Sequence, residues 1–133
     1  SLLRIGKMKV ISNANPAGTP SGSDGRANVL IKNCNYIIDK LSIRDEVARG
    51  AVGNELIITG AQGRCYIGEL KVNAEVAGTG VSILAATSPT VIESLKLANG
   101  VNNGVAAYVG TEYLQGGSTV VNTLNTPTTI TIP

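Results

Sequence analysis

Residues 64–76, RCYIGELKVNAEV, constrain the fold more than any other stretch, because apolar and polar side chains alternate along them. Tyr66, Leu70, Val72, Ala74 and Val76 fall on one face, with Glu69, Lys71, Asn73 and Glu75 between or opposite them. A period of two means an extended strand with one buried and one wetted face. Gly68 interrupts the pattern where a bulge would fit. Other runs read the same way: residues 2–12 (LLRIGKMKVIS), 27–32 (ANVLIK), 36–44 (YIIDKLSIR), 55–59 (ELIIT) and 81–86 (VSILAA). Within 36–44, Ile37, Leu41 and Ile43 share a face with Asp39. Between the first two runs, residues 13–25 (NANPAGTPSGSDG) are too rich in Pro and Gly for an element and read as a flexible loop.

Residues 88–100 carry a different signal. Ser88 stands at an N-cap position, Pro89 at the first helical position, and Glu93 three residues after Thr90. Val91, Ile92, Leu95 and Ala98 make an apolar stripe, and Asn99-Gly100 ends it, so the pattern predicts an α-helix over about 89–99. Residues 104–114 (GVAAYVGTEYL) fit a helix or a strand. Beyond Gly116-Gly117, residues 119–124 and 128–132 read as strands divided by Pro127.

No internal repeat is evident. The expected fold is mainly β: an antiparallel β-sandwich or barrel-like domain with that one helix and a C-terminal strand arm. Its core would be drawn from Val29, Ile31, Ile37, Leu41, Ile57, Leu70, Val72, Ile83, Val91, Ile92 and Leu95. At 133 residues the chain reads as a single domain, 1–133, with the loop at 13–25 and an assembly arm at 117–133.

Composition bears on what such a domain does. Charged residues are only 15%, against about 25% in typical globular chains. A surface so poor in charge must expose neutral polar side chains or be covered by neighbours. The charges are also uneven. Residues 1–71 hold ten Lys or Arg and six acids, whereas from Leu97 onward the only charged side chain is Glu112. Arg4, Lys7 and Lys9 form a patch that could face a polyanion, or could simply discourage sticking at an edge strand. The uncharged tail TPTTITIP would be an aggregation hazard if left exposed. Thr128, Ile130 and Ile132 are therefore expected to pair, within their own sheet or as an assembly strand in a neighbour's.

Catalytic chemistry is poorly supported. The chain has no His, which removes Ser-His-Asp and Cys-His nucleophiles and imidazole metal ligands. Cys34 and Cys65 do not make a zinc site, though they could form a disulfide or stay as buried thiols. Asp24 and the adjacent Asp45-Glu46 read as solvated acids. The Gly-rich loop lacks the P-loop Lys and leads into a strand, which removes a phosphate cradle. No cofactor, metal or catalytic residue is expected, and neither an apolar signal-peptide core nor a membrane span is present. Basic residues could touch nucleic acid non-specifically, with little aromatic stacking to help: the four aromatic residues are all Tyr.

Compact length, low charge, small side chains, a basic N-terminal end and an uncharged C-terminal arm together resemble small bacteriophage coat and cement proteins. Residues 81–101, VSILAATSPTVIESLKLANGV, are similar to the last strand and following helix of small RNA phage coat proteins, here with further strands after the helix. The resemblance implies a capsid coat or capsid-decorating subunit located in the virion. Its partners would be copies of itself and other virion proteins, and no binding residue is carried over. The alternatives are an extracellular pilus or filament subunit joined by donor strands, in which a Cys34–Cys65 disulfide would fit, and a monomeric β binding module.

Overall fold

The structure, a computed structural model, describes residues 2–12, 27–45, 54–59, 63, 65–73, 90–99, 102–103, 107–120 and 123–133. In chain order the strands are β1 (Leu2–Ser12), β2 (Ala27–Lys32), β3 (Asn35–Asp45), β4 (Asn54–Thr59), β5 (Cys65–Asn73), β6 (Thr90–Ala98), β7 (Asn102–Asn103), β8 (Ala107–Gln115), β9 (Thr119–Val120) and β10 (Thr128–Ile132). The main sheet runs β1-β3-β5-β6-β8-β10, and β2-β4 and β7-β9 form two small sheets. Every strand pair is parallel.

This corrects the expected antiparallel sandwich. Parallel neighbours need a crossover connection rather than a tight hairpin, and each step of the main sheet has one, from 22 residues between β1 and β3 down to eight between β6 and β8. Leu3 stacks beneath Tyr36, Tyr36 beneath Cys65, Tyr66 beneath Val91, Val91 beneath Tyr108 and Thr111 beneath Thr128. The rise from one coil to the next therefore takes 33, 29, 25, 17 and again 17 residues. The chain winds as a tapering β-solenoid, and its uneven coil length is what hides the repeat in the sequence.

The repeat lies in the inward side chains. Tyr36, Ile38, Leu41 and Ile43 of β3 are buried, as are Cys65, Ile67, Leu70 and Val72 of β5 and Thr90, Ile92, Leu95 and Leu97 of β6. The spacing is i, i+2, i+5, i+7. Two consecutive residues face outward in the middle of each strand, and the kinks stack on one another (Asp39 and Lys40, Gly68 and Glu69, Glu93 and Ser94, Gly110 and Thr111). Stacking gives columns such as Ile38–Ile67–Ile92–Val109 and Leu41–Leu70–Leu95. Each fully buried aliphatic side chain contributes about 1.5–3 kcal/mol. Val29, Ile31, Leu56 and Ile58 from the β2-β4 sheet join the same core.

The helix expected over 89–99 is strand β6. The 92-to-95 step across the kink has helical spacing, so Ile92 and Leu95 fit both periods. Burial separates the two: Val91, expected in the core, is 40% exposed, while Thr90 and Leu97 are fully covered. The 104–114 segment resolves as strand over Ala107–Gln115. The kink also moves Tyr66 to the outer face opposite Leu70 and Val72, and Ile37 is half-buried beside the buried Ile38. Val29, Ile31, Leu41, Leu70, Val72, Ile92 and Leu95 are core residues as expected. The loop at 13–25 and the side chains of Ile57 and Ile83 lie outside what the structure describes.

Backbone and side-chain hydrogen bonds close the last coil. Leu124 N–H donates to the Ala107 carbonyl at 2.8 Å. The Asn125 amide then accepts from Val109 N–H at 2.8 Å and donates to Val109 O at 2.6 Å, standing in for a strand neighbour. After Pro127, β10 continues the pairing, and the inward columns end on Thr129 and Thr131.

Candidate binding face

The outer face of the main sheet gathers most of the charged side chains among the described residues. Arg4, Lys7, Lys9, Lys40, Arg44, Lys71 and Lys96 lie on it, with Asp39, Glu69 and Glu93 as the described acids. The expected patch Arg4, Lys7 and Lys9 thus lies exposed on the outward side of edge strand β1, as one end of a larger surface. Parallel register assembles the rest. One column climbs Lys9–Ser42–Lys71–Lys96–Tyr113–Ile130, and beside it runs Lys7–Lys40–Glu69–Ser94–Thr111–Thr128. Lys40, Lys71 and Lys96 were not singled out from the sequence. They join the patch only when residues from successive coils are set side by side.

Lys96 Nζ lies 3.6 Å from Glu69 Oε1 and 5.5 Å from the centre of the Tyr113 ring. A second cluster lies on the same face. The Tyr66 hydroxyl donates to the Glu93 carboxylate, which raises the phenol pKa, with burial and the nearby charges of Glu93 and Asp39 acting in the same direction. Tyr66, Tyr108 and Tyr113 all face outward, and only Tyr36 is internal.

The remaining sequence candidates sit elsewhere. Cys34 is half-buried and Cys65 buried, and both are free thiols, so the pairing considered from the sequence is not formed here. Thr128, Ile130 and Ile132 pair with β8 inside their own sheet while staying exposed to solvent. Among the described residues no group of three or more His, Cys, Asp or Glu could hold a metal. No helix of the described residues is long and apolar enough to cross a membrane.

The geometry defines a class, a β-solenoid with a basic outer face and two sheet edges, β1 and β10, that pair with no further strand among the described residues. Comparison with protein-family models, with curated proteins and with solved structures finds no match.

Proposed function

We propose that this chain is a structural subunit, a coat or capsid-decorating component of a virion, that joins copies of itself end to end. The observation carrying this reading is where apolar surface is left exposed. Nine large apolar side chains are exposed among the described residues. Leu2, Leu3 and Ile11 lie on β1 at one end of the stack, and Leu124, Ile130 and Ile132 in the last coil at the other.

Both ends are edges of one parallel sheet, running in the same direction. A β10 edge can therefore add to the β1 edge of another copy in the register the sheet already uses. Continuing the columns puts Thr129 on Met8, Thr131 on Val10 and Ile132 on Ile11. Such a contact is heterologous and does not close on itself, so repetition extends the solenoid axis.

Light scattering over a concentration series, with a negatively stained grid of the same sample, tests the reading. Mass should rise with concentration and rods or larger ordered assemblies should appear, whereas Thr131→Lys, which places a charge on the junction, should stay monomeric. A wild-type chain that stays monomeric at high concentration, or a variant that assembles equally well, refutes it.

A further inference from the structure

We propose that the lysine columns on the outer face of the main sheet form a binding groove for an anionic polysaccharide lying along the solenoid axis. The inference stands independently of end-to-end assembly. Two depressions mark the path. One, of about 260 Å³, is lined by Lys7, Lys9, Lys40, Ser42, Glu69 and Lys71. The other, of about 410 Å³, is lined by Lys71, Lys96, Tyr113, Gln115 and Ile132 among others. Lys71 lines both, so the two depressions adjoin one another across the coils.

Charge placement argues that this groove serves a ligand. Lys7 stacks directly on Lys40, and Lys71 directly on Lys96. Like charges directly opposite across neighbouring strands destabilise a sheet, and a face shaped only for stability would alternate signs. Glu69 offsets part of the repulsion through Lys96. The remaining positive charge is complementary to a polyanion. Successive coils are about 4.8 Å apart, so the stacked pairs Lys7–Lys40 and Lys71–Lys96 set cations one strand spacing apart along the direction of a polymer chain.

The other groups in the groove favour a sugar polymer over a nucleic acid. Tyr113 presents a ring for the apolar face of a pyranose, with the Gln115 amide lining the same depression and the Ser42 hydroxyl lining the other. Glu69, an acceptor among the lysines, suits a ligand that carries hydroxyl donors on every ring between its anionic groups.

The test is calorimetric titration of the full chain with size-selected polygalacturonate, neutral dextran and single-stranded oligo-dT. Polygalacturonate should bind, weaken as salt rises and outcompete oligo-dT, and dextran should not bind. Lys71→Gln combined with Lys96→Gln should lower affinity about tenfold or more, and Tyr113→Ala several-fold, while Lys32→Gln on the small β2-β4 sheet should leave it unchanged. Surface changes of this kind leave folding intact, which circular dichroism of each variant checks. Equal binding by the double variant and Lys32→Gln, equal binding of dextran, or tighter binding of oligo-dT would each overturn the assignment, the last in favour of a nucleic-acid surface.

Discussion

The hydroxyl of Tyr36 and Oγ1 of Thr90 lie 2.7 Å apart in the interior, although the two residues are separated by a whole coil. The column runs Tyr36–Cys65–Thr90–Ala107, and the small Cys65 lets the tyrosine reach past its neighbour to the coil beyond. Without Tyr36, Thr90 would lose this buried partner, and without Thr90 the Tyr36 hydroxyl would keep only Cys65 beside it. Tyr36→Phe and Thr90→Val should each destabilise by about 1–3 kcal/mol, and the double variant by clearly less than their sum. Urea unfolding of the four proteins measures this coupling, and additive losses would mean that the two hydroxyls do not depend on one another.

The same tyrosine predicts an alkaline limit. Burial pushes the Tyr36 phenol far above its ordinary value, and the Thr90 hydrogen bond pulls only partly the other way. A raised folded-state pKa means that the stabilisation is complete below the unfolded value near 10 and is lost as pH rises beyond it. Above that pH the Tyr36 contribution should fall by about 1.4 kcal/mol per pH unit. In Tyr36→Phe this part of the decline should vanish, as denaturant titrations at pH 9 to 11 would show.

Gly68 and Gly110 are needed where the kinks stack. A Cβ on Gly68 would lie 2.6 Å from the Asp39 carbonyl oxygen, and one on Gly110 would lie 2.6 Å from that of Glu93. Backbone can yield only by parting two coils, so Gly68→Ala and Gly110→Ala should each destabilise by about 2 kcal/mol or more. Gly6 is the matching position in the first coil and has nothing within 4 Å, so Gly6→Ala should change stability by no more than about 0.5 kcal/mol. Thermal unfolding of the three variants makes the comparison.

Glu112 interrupts the Leu41–Leu70–Leu95 column with a carboxylate. It is 7% exposed; Oε1 accepts from Thr129 Oγ1 at 2.5 Å, but Oε2 has no hydrogen-bond partner among the described residues. Replacing such a group with a well-packed apolar one is often stabilising. Glu112→Leu should raise stability by about 1–3 kcal/mol, read as a higher denaturant midpoint. A lower midpoint would contradict this account of Oε2.

Asn125 closes the last coil with side-chain hydrogen bonds in both directions to Val109. Asn125→Ala should remove about 1–2 kcal/mol. The effect should be local, with faster hydrogen exchange at the Val109 amide and little change at Ile67.

Much of this architecture is readable in the sequence once the kink is known. Residues 27–32 and 2–12 have the strand limits their composition predicts, and seven of the expected core positions are buried, Leu41, Leu70 and Leu95 among them. Strand direction was not readable, because alternation is the same in parallel and antiparallel sheets. The segment 89–99 reads as a helix because Ser88-Pro89 and Glu93 supply helix-start chemistry and the kink brings Ile92 and Leu95 to helical spacing. The basic face was only partly legible. Arg4, Lys7 and Lys9 are close in sequence, but Lys40, Lys71 and Lys96 reach them through register across coils of unequal length.

Docking of β10 of one copy on β1 of the next is open to a direct test by cross-linking. Ile11 and Ile132 occupy one outward column at opposite ends of the stack, five coil steps or roughly 24 Å apart, beyond the reach of a disulfide within one chain. In a Cys34→Ala background, Ile11→Cys and Ile132→Cys should be introduced together and each alone, then oxidised. The account predicts a ladder of covalent multimers for the double variant and no chains longer than dimers for either single one. Monomers alone from the double variant, or the same products from all three, would contradict it.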